Sequence, residues 1–175
     1  MANYHSQIVD AGARVVGINV DPAERNAAMV DKLALPYPLL SDPDGQEAIK
    51  PYGVWHDGQS FARPAVVLLR PDGSEAVRQV GEDFADRLPE EELVEAIRAE
   101  NLPAARQPPP TPGTPRPGPD AVDLARLPWY FRGARMAVVA LAGRVGEARD
   151  DARRMRHEYD RFLDALQRLE EPGDE

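Results

Sequence analysis

Eight prolines within seventeen residues, in the run PAARQPPPTPGTPRPGP (Pro103–Pro119), limit the fold of this chain more than any other feature. Proline has no backbone N–H and a fixed φ, so this run can form neither a helix interior nor a central strand. We expect an extended, semi-rigid spacer here. The spacer divides the chain into a first domain at residues 1–102, a linker at 103–119 and a C-terminal section at 120–175.

The composition of the whole chain restricts its function. Of its 175 residues, 42% are hydrophobic, which is enough to build a core, and the formal net charge is −9. That charge argues against binding to nucleic acid or to an anionic membrane surface. No apolar run approaches the roughly 20 residues that a membrane span needs, and MANYHSQIVD does not have the pattern of a signal peptide. We therefore predict a cytoplasmic protein with no membrane span and no nucleic-acid partner.

The chain contains no cysteine. Disulfides, thiolate metal ligands and a cysteine nucleophile are therefore excluded within these residues. His5, His56 and His157 share no spacing, so we predict no metal site. Asp42 and Asp44 lie in SDPDG, which is typical of a turn. We predict no bound cofactor, because the sequence has no Gly-rich phosphate loop or other motif of a known cofactor site.

Strand and helix patterns alternate in the first domain. ARVVGINV and PAVVLL are β-branched runs typical of strands buried on both faces, and a short extended YPLL lies between them. RPDGSEAVRQV adds a turn and an outer strand. Helices are predicted at DPAERNAAMVDKLAL, with Asp21 as N-cap and Pro22 first, at GQEAIKPYGV and at LPEEELVEAIRAEN. The order β-α-β-α-β-β-α predicts an α/β fold, a mixed sheet with helices on its faces.

The C-terminal section is predicted to be helical. A short helix, DAVDLARL, precedes Pro128, and one long helix then runs from Trp129 to Leu169. Its apolar positions alternate spacings of four and three over five repeats, which is a heptad pattern. Gly143 and Gly146 each weaken such a helix by about 1 kcal/mol. Two arrangements stay open: a homo-oligomer or protein partner bound through this helix, and packing within the chain.

Five motifs follow one another in the first domain: GARVVGINVDPAE, LALPYPLLSDPDGQ, YGVW, ARPAVVLLRPDG and VGEDFADRLPEEELVEAI. In this order and at about these spacings they resemble the alkyl hydroperoxide reductase / thiol-specific antioxidant (AhpC/TSA) family, the peroxiredoxin-like branch of the thioredoxin fold. The resemblance covers roughly residues 5–98. It implies a thioredoxin-like domain and, in intact relatives, an antioxidant oxidoreductase in which a cysteine attacks peroxide and becomes a sulfenic acid.

The resemblance also implies what this sequence lacks. In the family the peroxidatic cysteine lies in a loop before the first helix of the core, and NYHSQIVDAGARVV resembles the last turns of that helix. We therefore expect an N-terminally truncated domain without the preceding strand and catalytic loop. If the chain starts at Met1, a sheet edge is exposed, and the C-terminal helices are the only segments that could cover it. Alternatively, the true start lies upstream and Met1 is a misassigned start.

Two residues match the rim of the active site in this resemblance. Arg63 matches the arginine that stabilises the peroxidatic thiolate, a role that suits an always-charged guanidinium. Without a thiol, Arg63 would bind a small anion or pair with a surface acid. Pro64 matches the position where thioredoxin-like folds often have a cis-proline, and an ordinary trans proline is the alternative.

The sequence thus favours a peroxiredoxin-like antioxidant/oxidoreductase family protein with no catalytic residue of its own, inactive as this chain stands. The alternative is a redox-inactive interaction module. In that case the thioredoxin-like platform and the heptad helix serve partner binding or self-association, and the chain is not an enzyme.

Overall fold

Strands and helices alternate along the first part of the chain, and the last part is helical. The computed structural model describes residues 1–114 and 121–170. The strands are β1 (Gly17–Asn19), β2 (Leu39–Ser41), β3 (Trp55–His56), β4 (Phe61–Ala62), β5 (Ala65–Leu69) and β6 (Glu75–Val80). The helices are α1 (His5–Asp10), α2 (Ala23–Lys32), α3 (Glu90–Ala99), α4 (Leu127–Arg144) and α5 (Arg149–Glu170). The chain forms two compact units, a first unit at Met1–Arg116 and a second unit at Pro117–Glu175.

The strands of the described residues form three ladders of two strands each. β1 and β2 pair in parallel with α2 between them in sequence, whereas β3 with β4 and β5 with β6 pair antiparallel. Gly73 in the β5–β6 turn has φ +84°, as the Pro-Asp-Gly sequence predicts. The α/β class and the C-terminal helical extension are confirmed. The strands do not form one continuous mixed sheet, however, because β1 and β5 are not paired.

The core of the first unit lies between α1, α3 and the strands. The buried cluster consists of Ile8, Val15, Leu93, Val94 and Ile97. Val66 and Leu68 of β5 pack against it and are partly buried. Helix α3 has three glutamates in its first turn, where the helix dipole favours negative charge, as predicted. The two helices thus provide an apolar surface for β5 and for Val15, which precedes β1.

The predicted strand Ala13–Val20 is shorter in the structure, where only its later part, β1, pairs with a neighbour. The amide of Val15 donates to Oε1 of Gln107 at 2.9 Å. Val16 and Ile18, predicted to be buried on both faces, are exposed. A strand inside a sheet needs partners on both edges, and β1 has a strand partner only on the side of β2.

Helix α2 begins at Ala23, with Pro22 as its N-cap rather than its first residue. The predicted N-cap Asp21 lies one residue too early. Instead, the side-chain amides of Asn19 and Asn26 exchange two hydrogen bonds of 2.9 Å. Asn26 is buried, so this reciprocal pair satisfies its polar atoms and joins the end of β1 to α2.

The helix predicted over GQEAIKPYGV is wrong, since these residues form successive turns. Tyr52 donates its amide to the Ala48 carbonyl at 2.9 Å, which is a single helical turn. Pro51 cannot continue a helix, and Gly53 follows in the left-handed region at φ +66°. The sequence therefore has room for one turn only, and no helix forms.

The Asp42 carboxylate holds these turns together. It accepts three backbone hydrogen bonds, at 3.1, 2.9 and 2.9 Å, from Glu47, Ala48 and Ile49. The side chain is only 2% exposed. Burial raises the pKa of this carboxyl, but the backbone N–H groups together lower it more, so the pKa lies below its ordinary value. SDPDG is therefore a turn, as predicted, and its first aspartate is buried.

The described part of the proline-rich segment is tied to the first unit. Ala105 donates its amide to the Val9 carbonyl at 2.8 Å, and Gly113 donates to the Ala27 carbonyl at 2.8 Å. Residues 103–114 have no regular secondary structure, and these bonds attach them to the first unit. Residues 115–120 and 171–175 lie outside the described residues. The predicted domain boundaries at 102 and 119 stay predictions.

The long helix predicted from Trp129 to Leu169 is wrong, because the chain leaves the helix at Val145 (φ −121°, ψ 99°). A 3₁₀ turn then leads into α5. Gly143 and Gly146 flank the break, and glycine has the weakest helix propensity after proline. The heptad pattern runs through this point, so periodicity alone cannot reveal it. The short helix predicted at DAVDLARL is also absent apart from a 3₁₀ turn in its described part.

Helices α4 and α5 of the second unit form an antiparallel hairpin, which is stabilised by contacts between aromatic rings and by an ion pair. The Phe131 ring lies 6.2 Å from the Tyr159 ring and 5.0 Å from the Phe162 ring, between centroids. The Arg135 guanidinium donates to the Asp160 carboxylate, which lowers the pKa of that carboxyl. Packing within the chain, one of the two arrangements that the sequence left open, is therefore present in the structure. Among the described helices, none has both the length and the apolar character needed to cross a membrane.

Replacing Asp42 tests how much the buried carboxylate stabilises the first unit. We expect Asp42→Asn to lower the Tm by several degrees at neutral pH. The side-chain NH₂ group of asparagine would face backbone N–H donors where the carboxylate now accepts from them. Because the folded pKa is lowered, the stabilisation is present above pH 3.8 and is lost as the pH falls through the folded pKa. The Tm difference between parent and variant should therefore shrink in acid. Exposed Asp44→Asn is the matched control, and an equal effect of both variants would contradict this account.

Candidate functional site

Arg63 and Pro64 form the connection between β4 and β5. The Arg63 amide donates to the Val54 carbonyl at 2.7 Å, and the Pro64 carbonyl accepts from the Gly81 amide at 2.7 Å. These two bonds fix the backbone on both sides of the pair. No peptide bond in the described residues is cis. The bond between Arg63 and Pro64 is therefore trans, and of the two predicted alternatives the ordinary one is present.

The Arg63 guanidinium pairs with a surface acid. Its Nη2 lies 3.2 Å from Oε1 of Glu82, and the side chains are 33% and 86% exposed. An ion pair this exposed contributes about 0–1 kcal/mol, because water screens it. Another anion can therefore replace Glu82 at little cost. Chemically, the group can hold a small anion or stabilise a thiolate placed beside it.

The β3–β4 ladder positions the segment that leads into Arg63. Trp55 pairs with Ala62, the residue before the arginine. The ammonium of Lys50 lies 4.6 Å from the centre of the Trp55 ring. Gly45 approaches the same ring so closely that a Cβ would come within 2.6 Å of it. Trp55 is thus a packing residue that supports β4, and we assign it no chemistry.

The histidines and aspartates of the sequence do not assemble a metal site in the described ranges, where no three His, Asp or Glu side chains come together. Nδ1 of His56 accepts from the Gly58 amide at 3.3 Å. The His5 ring lies 6.1 Å from the Tyr37 ring, and its Nε2 is buried without a hydrogen-bond partner. The Asp42 oxygens are occupied by backbone donors, so they are not available to a cation.

An open cleft between β1 and β5 is the feature of the first unit that the sequence did not define. We call it the β1–β5 cleft. It consists of two adjoining cavities of about 720 Å³ and about 300 Å³. Both are lined by Ala13, Arg14, Val15, Val16, Val67 and Leu68. The sequence predicted that a missing strand would expose a sheet edge. It did not indicate that two edges would face the same space.

The larger cavity ends at an ion pair. The Arg70 guanidinium donates two hydrogen bonds of 2.9 Å to the Glu100 carboxylate, in the bidentate geometry that arginine favours. This pair joins the end of β5 to the end of α3. Both residues line the larger cavity, and their charges neutralise each other.

Comparison with known proteins shows what this chain is similar to. The model of the AhpC/TSA family matches residues 1–78. A crystal structure of AhpC from Enterococcus faecalis is similar, with a TM-score of 0.50 and 21% sequence identity. That likeness covers 57% of this chain and 61% of that chain, so less than two thirds of that AhpC is represented. None of the curated proteins matches the chain.

The structural likeness at this identity shows the fold alone, and the family match rests on the sequence of the first unit. Both agree with the ordered motifs and with the order of strands and helices in that unit. The predicted resemblance is confirmed: the AhpC/TSA family model matches residues 1–78 of a chain that has no cysteine.

Proposed function

We propose that this chain is a peroxiredoxin-like domain that provides the arginine of a peroxide-reducing site but not its thiolate. The observation that carries the proposal is the combination of Arg63, held only by an exposed ion pair, with a chain that lacks cysteine. No other side chain supplies a comparable thiolate nucleophile. The 175 residues are therefore inactive as a thiol peroxidase by themselves.

The role proposed for Arg63 follows from its charge and freedom. A guanidinium within a few ångströms of a thiol favours the thiolate and lowers the thiol pKa. Its donor fork also suits the oxygen atoms of a peroxide. Glu82 occupies this position in the structure at 3.2 Å, and it stands where an anionic group would be held. A cytoplasmic location remains a prediction from the sequence.

An introduced thiol tests the role of Arg63. In Glu82→Cys the thiol replaces the carboxylate that Arg63 now contacts. We expect its pKa to fall below the ordinary 8.5 or so by roughly one unit or less, because the site is exposed. The pH dependence of iodoacetamide alkylation measures this shift. Hydrogen peroxide should also oxidise this thiol faster than a surface thiol.

The matched control removes only the guanidinium charge. Adding Arg63→Gln to the Glu82→Cys chain should return the thiol pKa to about 8.5 and slow its oxidation. Equal thiol pKa values and equal peroxide rates in the two variants would overturn the proposed role. Turnover of peroxide by the unsubstituted chain with dithiothreitol would overturn the proposed inactivity.

A second candidate function is an interaction module, and helix α4 favours it. From Gly133 to Gly143 this helix carries one charged residue, Arg135, which is paired with Asp160. A helix that is apolar all round is normally buried on all sides. In the structure Leu141 is nonetheless 48% exposed, and Trp129 is 72% exposed. We propose that this face of α4 binds a second copy of the chain or a protein partner.

Leu141→Asp tests self-association through α4. The added charge lies on the exposed face, so we expect the hairpin to keep its helical circular dichroism while any dimer is lost in sedimentation. Ala165→Asp, at an exposed position of α5, is the control and should leave sedimentation unchanged. Phe162→Asp is unsuitable, because Phe162 packs against Phe131 inside the hairpin. A chain that sediments identically with and without Leu141→Asp would contradict self-association.

A further inference from the structure

Residues 12–17, which lead into β1, and residues 65–71, which include β5, line the two cavities of the β1–β5 cleft, and β1 and β5 do not pair. In β1, the Gly17 amide donates to the Pro38 carbonyl on the side of β2. Successive residues of an extended chain direct their backbone groups to opposite edges, so Ile18 of β1, and Val16 just before β1, direct theirs away from β2. Among the backbone hydrogen bonds of the described residues, none joins β1 to β5.

The edge of β5 has the same property. The Pro64 carbonyl accepts from Gly81 on the side of β6, and the register pairs Ala65 with Val80. By the same alternation, Ala65 and Val67 direct their N–H and C=O groups away from β6. Val67 lines both cavities of the cleft. Each edge thus presents a row of backbone donors and acceptors that only another extended backbone can satisfy in register.

After the backbone groups, the side chains of the cleft set a second requirement for any molecule that binds there. One face of the space rests on Ile8, Leu93 and Ile97, which are buried apolar residues of α1 and α3. Val16 lies just before β1, lines both cavities and is exposed. An occupant therefore needs apolar side chains on the face toward the helices, and it tolerates polar ones on the other face.

One free charge gives the third requirement. Arg14 lines both cavities and is exposed, and it has no ion pair with any described residue. The other arginine of the cleft, Arg70, is neutralised by Glu100. An occupant with a carboxylate near Arg14 would be electrostatically complementary to the cleft.

We propose that the β1–β5 cleft binds an extended segment of a partner polypeptide, apolar on one face and bearing an acidic side chain that meets Arg14. The segment adds as a strand between β1 and β5 and joins the two ladders into one five-stranded sheet. Main-chain hydrogen bonds provide affinity in such strand addition, and the alternate side chains provide specificity. This inference goes beyond the proposed function, since it does not involve Arg63 or Glu82.

The probe is an acetylated and amidated heptapeptide with one glutamate followed by alternating valine and threonine. Titration calorimetry with the full chain should give saturable binding of one peptide per chain. The backbone amide signals of Val16, Ile18 and Val67 should shift in ¹⁵N spectra. The same peptide with alternate backbone nitrogens methylated cannot donate along one edge, and it should not bind.

Arg14→Gln tests the charge, and this exposed site does not threaten folding. We expect it to weaken the glutamate peptide about threefold to fivefold, as an exposed ion pair would. Binding of a peptide with glutamine in place of glutamate should stay unchanged. Absence of saturable binding, equal binding of the methylated peptide, or shifts confined to α4 would overturn the proposal. So would a free protein that is dimeric and already protected at these amides, because a second copy would then fill the cleft.

Discussion

The missing hydrogen bonds between β1 and β5 set the form of the first unit. The β1–β2 and β5–β6 ladders stay separate, and the core of α1 and α3 packs against Val66 and Leu68 of β5 and includes Val15, which precedes β1. As a result, Val16 and Ile18 are exposed, although β-branched side chains like these are typical of buried strands. The Val15 amide, before β1, donates to the side chain of Gln107. The proline-rich segment therefore satisfies one backbone group among the residues that line the larger cavity.

Local chemistry predicted the parts of the fold whose causes lie close together in sequence. The Pro-Asp-Gly turn, the β5–β6 hairpin and helix α3 depend on turn residues, alternation and first-turn glutamates, and all are present. The break of the long helix at Val145 was not predictable from periodicity, because two antiparallel helices and one continuous helix use the same heptad positions. The attachment of the proline-rich segment depends on contacts between residues far apart in sequence, such as Gly113 with Ala27.

The motif order predicted Arg63 and Pro64 as site residues, which stays a prediction, and the two residues lie between β4 and β5. The partner Glu82 was not predictable, because it is brought near by the β5–β6 hairpin and lies nineteen residues away. The cleft needed the structure as well. Its walls come from residues 12–17 and 65–71, which lie far apart in sequence and which no local pattern brings together.

The strands of the first unit are divided between β1 and β5, which do not pair. Amide hydrogen exchange of the free 175-residue protein, resolved residue by residue, tests this division most directly. The account predicts that the amides of Val16, Ile18 and Val67 exchange at least about tenfold faster than those of Gly17, Val66 and Leu68, because only the latter have ladder partners. Equal protection of the two sets would mean that the edges are paired, and it would contradict the divided sheet.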